Sequence, residues 1–168
     1  DLSGMLFDAL QKHHRLDARA SVMLTLAAVL HEIGTFVSIS AYHKHSLYLI
    51  QNSELFGLSQ LDLQIVALVA RYHRRASPKP THTGYSNLSR QDRVVVSKLA
   101  SILRVADALD RSYSQRIRDF MCAVQKDRLI ITVAGVDDLS LEQIALKETA
   151  QLFEETYGLS VLMRRERV

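Results

Sequence analysis

Apolar residues recur at the three- and four-residue spacing of helices along the first two thirds of this chain, and partly at the alternating spacing of strands thereafter. Leu2, Met5, Leu6 and Ala9 predict a first helix. Ala20 to Ile33 is apolar nearly all round, through Val22, Met23, Leu24, Leu26, Val29 and Leu30, which predicts a helix at the centre of a bundle, stopped by Gly34. A shorter helix is expected over Tyr42 to Asn52. Ser59 with Asp62 carries the signature of a capping box ahead of the stripe Leu61, Ile65, Leu68 and Tyr72, and Pro78 and Pro80 end that region. Ser89 with Asp92 repeats the start signal before Val95, Leu99, Ile102, Ala106 and Leu109. Beyond residue 119 the texture changes. Met121 to Val133 is β-branched, split by the polar run Gln125-Lys126-Asp127-Arg128, and reads as a hairpin; Leu141 to Tyr157 reads as an amphipathic helix ended by Gly158, and Val161 to Met163 as a last strand. The expected fold is mainly α: a helical bundle over residues 1–119, then a small α+β unit over residues 120–168.

The 168 residues are 48% hydrophobic and 23% charged with two prolines, enough for a packed core in one compact unit. The single cysteine, Cys122, excludes an internal disulfide framework and suits a reducing, cytoplasmic setting as a small buried hydrophobe. No apolar run approaches the roughly 20 residues of a membrane span, so no membrane partner is expected. The chain starts inside a helix without an initiator methionine, the pattern of a fragment lacking upstream sequence. Charge is unevenly spread: between residues 71 and 104 stand eight cations and one acid, while both flanks are slightly acidic. Of those cations Arg71, Arg74, Arg75, Lys79, Arg90 and Arg93 are the candidate polyanion-binding set, because concentrated positive charge attracts phosphate over long range. A merely solvated basic loop is the plain alternative.

Ionisable residues interrupt the apolar helices at four places, and burying them requires a partner. His31 and Glu32 are neighbours about 100° apart on a helix, able to border one cavity, and both suit a divalent ion. The competing reading has His31 donating to a backbone carbonyl and Glu32 pairing with an arginine such as Arg104. Of His43 and His45, two apart, at most one is expected to face inward; His45 is the candidate because it precedes Leu49 by four residues. His73 is either a ligand or a cation capping a helix C-terminus. Asp107 has Arg104 and Arg111 within helical ion-pairing distance. The candidate metal set is thus His31, Glu32, His45, His73 and Asp107, with no catalytic residue assigned.

The order His-acid, His, His, Asp over successive helices resembles the HD domain. More closely, Leu30-His31-Glu32-Ile33-Gly34, His43-Lys44-His45-Ser46-Leu47-Tyr48-Leu49-Ile50, Arg71-Tyr72-His73-Arg74 and Leu103-Arg104-Val105-Ala106-Asp107-Ala108-Leu109-Asp110 resemble the C-terminal region of the exopolyphosphatase and guanosine pentaphosphate phosphohydrolase (Ppx/GppA) family. The resemblance implies an HD-like domain over 1–119 and the family's small terminal unit after it. It also implies a parent hydrolase that releases terminal phosphate from polyphosphate or pppGpp, with magnesium and a carboxylate base, on N-terminal actin-like domains that nothing in this sequence matches. The expectation is a helical portion, inactive alone, that guides polyanionic substrate and supports a homodimer with those domains as partners. Two departures bear on a transition-metal site: Glu32 stands where HD domains have Asp, and no histidine occurs between Asp1 and Leu10. The alternatives are a free-standing metal-dependent HD phosphohydrolase acting on nucleotides, and a non-enzymatic ligand- or nucleic-acid-binding module. Scarce Phe and Tyr in the basic segment argue against base stacking, so nucleic acid is not an expected partner.

Overall fold

The computed structural model of the chain describes residues 1–166. Helices α1 (Leu2–Ala9), α2 (Gln11–His14), α3 (Ala18–Leu30), α4 (Tyr42–Gln51), α5 (Gln60–Arg71) and α6 (Arg90–Leu109) form a bundle, with a 3-10 turn at Ile33–Phe36 between α3 and α4. A small α+β unit follows: strands β1 (Phe120–Gln125) and β2 (Arg128–Val133), helices α7 (Ser140–Thr149) and α8 (Gln151–Tyr157), and strand β3 (Ser160–Arg165). The expected mainly helical class with a terminal α+β unit is what the chain adopts.

Both long helices begin where the cap signals place them. At α5, Ser59 accepts from the Asp62 backbone while Asp62 reaches back to the Ser59 backbone, so two otherwise orphaned donors are satisfied at once. Arg19 from α3 joins the same carboxylate, and that hydrogen bond holds the Asp62 carboxyl down at about 2. Ser89 caps α6 by accepting from the Asp92 backbone with its hydroxyl. From Val96 to Leu109, α6 is buried on almost every side, and it packs against α1, α3 and α5 on one flank and α7 and α8 on the other. It is the central helix.

That position was expected of α3. There, Val22 and Val29 are 52% and 74% exposed, and only Ala20, Met23, Leu24 and Ala27 are fully packed. An apolar residue on the outer face of a helix looks the same in sequence as one on the inner face. In α1 the packed face is Ser3, Leu6, Phe7 and Leu10, and Ala9 is exposed. The expected single helix after the hairpin is two, divided at Ala150. Just before the break the Thr149 hydroxyl donates to the Ala145 carbonyl, a back-bond that bends helices.

The sheet runs β1-β2-β3, with β1 and β2 an antiparallel hairpin and β3 joined parallel to β2, Ile131 opposite Met163, through the α7–α8 crossover. Its inner face (Leu129, Ile131, Val133, Met163) meets Phe153 and Leu159 in a hydrophobic cluster continuous with the bundle core. Cys122 lies half-buried on β1, and burial pushes its thiol up to about 11, so it is an inert side chain. Among the described residues no helix is long and apolar enough to cross a membrane.

Candidate functional site

The ends of α3, α5 and α6 bring His31, His73 and Asp107 together. His31 follows the last turn of α3, and its Nδ1 lies 2.7 Å from the Ala28 carbonyl oxygen. A carbonyl can only accept, so Nδ1 carries the hydrogen and Nε2 presents a lone pair when the ring is neutral. That nitrogen stands 3.9 Å from Asp107 Oδ1, and the His31 and His73 rings meet edge to face with centroids 4.6 Å apart.

His73 is fully buried and has both nitrogens engaged. Nδ1 donates to the Ala70 carbonyl at 2.5 Å, and Nε2 accepts from the Tyr42 hydroxyl at 3.0 Å; that hydroxyl in turn accepts from Arg74 at 3.2 Å. Burial, reinforced by neighbouring His31, pushes the His73 imidazole down to about 3. The expected capping contact at the end of α5 therefore exists, but with a neutral ring rather than a cation.

Asp107 leaves only 10% of its side chain exposed. Arg111 Nη2 stands 3.0 Å from Oδ2 as an i,i+4 ion pair, yet off the line of a hydrogen bond, so that oxygen is buried without one. Burial raises the Asp107 carboxyl above its ordinary range, and Arg111 opposes the rise. Glu32 accepts from the Tyr113 hydroxyl at 3.2 Å. The anticipated partner, Arg104, is elsewhere: it is buried, donating to the Tyr72 and Ala76 carbonyls at 2.7 and 2.6 Å, and desolvation lowers its guanidinium to about 10.

His45 lies outside this cluster. Its helix instead contributes Tyr42 and Ser46, four residues apart on one face, which the sequence reading passed over in favour of the histidines. The Ser46 hydroxyl donates to the His31 carbonyl at 2.7 Å and accepts from the Gly34 backbone at 2.9 Å. Gly34 is required for this approach, because a Cβ there would overlap the Tyr42 carbonyl oxygen and the Ser46 backbone nitrogen. It is a docking point for α4, not the stop of α3.

A transition-metal ion does not fit the donors as they stand. His73 has no lone pair to give, Glu32 is shared with Tyr113, and Asp107 is faced by a guanidinium. Among the described residues no group of three or more His, Cys, Asp or Glu side chains is arranged to hold a metal.

The basic segment divides in two. Arg93 is tied to the Leu88 and Ser86 carbonyls, Lys98 to the His14 carbonyl, Arg104 to the turn after α5, and Arg74 to Tyr42. Among the described residues, Arg71, Arg75, Lys79 and Arg90 form no side-chain hydrogen bond or salt bridge, so their positive charge is not neutralised locally. Arg90 and Lys98 also border a groove with Arg15.

Comparison with known proteins agrees with the sequence resemblance. The description Ppx/GppA phosphatase, domain III, matches residues 1–155. The chain is 33% identical over 108 residues to the guanosine-5'-triphosphate,3'-diphosphate pyrophosphatase of Pseudoalteromonas translucida (strain TAC 125), covering 64% of this chain and 21% of that protein. It is 32% identical over 104 residues to the protein of that name from Aliivibrio fischeri (strain ATCC 700601 / ES114), covering 61% and 21%, and 26% identical over 121 residues to that of Vibrio cholerae serotype O1, covering 71% and 23%. The chain thus spans about a fifth of the length of these relatives. With the match running over nearly all of its residues, the chain belongs to the Ppx/GppA phosphatase family, in which it corresponds to domain III.

Proposed function

We propose that this chain is the substrate-guiding portion of a phosphohydrolase acting on polyphosphate or pppGpp, with hydrolysis and its magnesium residing in actin-like domains outside the chain. A homodimer and those domains are its partners in this reading, which the family resemblance carries. The observation that supports guiding is the set of locally unneutralised cations at the end of α5, along the proline loop and at the start of α6: Arg71, Arg75, Lys79 and Arg90. Many weak contacts to one polymer add through effective concentration, so a long polyanion gains where a short one does not. The bundle's polar cluster is structural in this reading: Tyr42, His73 and Arg74 are spent on one another.

The test is binding of long and short polyphosphate to the chain at rising salt. Affinity should increase with polymer length and fall steeply as salt screens contacts beyond a Debye length of about 8 Å. Joint charge reversal of Arg75, Lys79 and Arg90 should weaken binding at least about tenfold while leaving the thermal midpoint in place. Arg93 and Arg74 are poor choices for that variant, since both hold backbone or side-chain acceptors, and Arg15 is a poor control because it borders the groove with Arg90; Lys12 is the better one. Undiminished binding by the triple variant would reduce the segment to a solvated face.

A further inference from the structure

The terminal sheet has two edges, and they are built differently. β3 ends in Arg164 and Arg165, charges of the kind that keep an edge from pairing with another chain, whereas β1 holds no charge and no proline. Hydrogen-bond directions show what the β1 edge offers. The Val133 carbonyl accepts from the Glu166 backbone at 2.8 Å and the Asp127 carbonyl from the Ser160 backbone at 2.9 Å, so the odd-numbered residues of β2 turn their backbone groups toward β3. Arg128, Ile130 and Thr132 therefore turn toward β1, onto Gln125, Ala123 and Met121. Phe120, Cys122 and Val124 are left pointing their backbone groups outward.

Phe120 has its N–H taken by the Asp119 carboxylate at 2.8 Å. Among the described residues, no hydrogen bond reaches the outward N–H and C=O groups of Cys122 and Val124. Free groups two residues apart are satisfied by an antiparallel strand with the same spacing, and β1 has that spacing itself. A two-fold axis at Ala123 sets Cys122 opposite the partner's Val124 and Val124 opposite the partner's Cys122, two reciprocal pairs that make four hydrogen bonds. Centring on Cys122 would instead call on the Phe120 N–H that Asp119 already holds. A slip of one residue would set the packed side of one strand against the exposed side of the other.

Side chains agree with this register. Ala123 falls on the axis in a pair not bridged by hydrogen bonds, where opposed Cα atoms come within about 4.5 Å. The smallest side chain of the strand thus stands at the tightest point. On the outer face Ala123, Ile130 and Leu162 form one row across the three strands, and the axis continues that row into a second copy. Exposed Met121 then lies diagonal to the partner's Ala123 and gains apolar cover.

We infer that β1 is a pairing edge for a second copy of this chain, joined antiparallel about Ala123 into one six-stranded sheet. This rests on the homodimer of the proposed function and gives it a surface.

Sedimentation of the whole chain over a range of concentrations, with cysteine capture, tests it. A monomer–dimer equilibrium is expected, and Ala123→Lys, at an exposed site that leaves the fold in place, should weaken it at least about tenfold because two like charges meet on the axis. In a Cys122→Ser background, mild oxidation should trap Ala123→Cys as a covalent dimer, since the axis pair lies within disulfide reach. Leu162→Cys, exposed on the same face two strands away, should not be trapped. A chain that stays monomeric, a dimer untouched by Ala123→Lys, or no capture through Ala123→Cys overturns the inference. So does capture through Leu162→Cys, which would mean two copies stacked face to face. A monomeric chain that still binds long polyphosphate loses the pairing edge and keeps the guiding role. A chain trapped through Ala123→Cys that binds no polyphosphate keeps the edge and loses the guiding role.

Discussion

Gly34 and His73 show how a single position can be fixed by what surrounds it. Replacing Gly34 with Ala pushes a methyl into backbone atoms at Tyr42 and Ser46, which cannot step aside as a flexible side chain would. Overpacking of this kind costs about 1–3 kcal/mol, so Gly34→Ala should lower the urea midpoint with an unchanged slope, and a neutral result would mean α4 docks differently. His73 makes stability depend on pH. Its folded value near 3 lies below the free value of 6.5, so between those limits the unfolded chain binds a proton that the folded chain does not. Stability is therefore complete above about pH 6.5 and declines by up to about 1.4 kcal/mol per pH unit below it. Buried His14 shifts in the same direction. Urea melts from pH 7.5 to 5 should show this decline, and His73→Gln should flatten it; an identical slope in the variant would place the effect elsewhere. The sequence made His31, Glu32, His73 and Asp107 visible because charge in an apolar helix stands out. It hid Tyr42 and Tyr113, whose roles depend on which helix end lies opposite.

At the scale of elements, local chemistry was legible and relative placement was not. The capping box of α5, the Ser89 cap of α6 and the hairpin are interactions within a few residues, so their signals are intact in the chain order. Whether α3 or α6 occupies the centre depends on packing across the molecule, and an apolar helix gives no sign of which faces go uncovered. The same limit applies to the basic segment, where eight like charges in sequence conceal that four of them have internal acceptors. Arg104 is the clearest case. Its guanidinium, expected beside Glu32 or Asp107, instead ties the turn after α5 to α6. Arg104→Leu leaves the Tyr72 and Ala76 carbonyls without their donor, and hydrogen bonds to a charged group are worth about 1.5–3 kcal/mol each. The variant should lose at least 2 kcal/mol on that scale and should exchange the amides of residues 74–88 faster. Faster exchange confined to α6 would contradict the role given to this arginine.

The whole molecule joins a bundle to an α+β unit that share one helix. On the side of α6 away from α5, the Ser101 hydroxyl lies 3.2 Å from the Leu152 carbonyl and 3.1 Å from Thr156 Oγ1, and Tyr157 donates to the Lys98 carbonyl at 3.3 Å. Leu146, Leu152 and Phe153 complete the apolar cover there. Residues 1–119 and 120–166 are distinct in topology, yet α6 is apolar toward both, so cutting after residue 119 would strip one flank of the central helix. Burial is worth roughly 25 cal/mol per Å² of apolar surface, and a domain's net stability is only about 5–15 kcal/mol. Exposing one flank of a helix this long removes a large part of that margin. The chain should therefore melt in one transition, with far-ultraviolet dichroism, which reports mainly the helices, coinciding with the fluorescence of a tryptophan placed at Phe153. A fragment ending at residue 119 should be molten or insoluble. Two separated transitions, or a fragment that melts cooperatively near the parent midpoint, would show that the bundle stands without its neighbour.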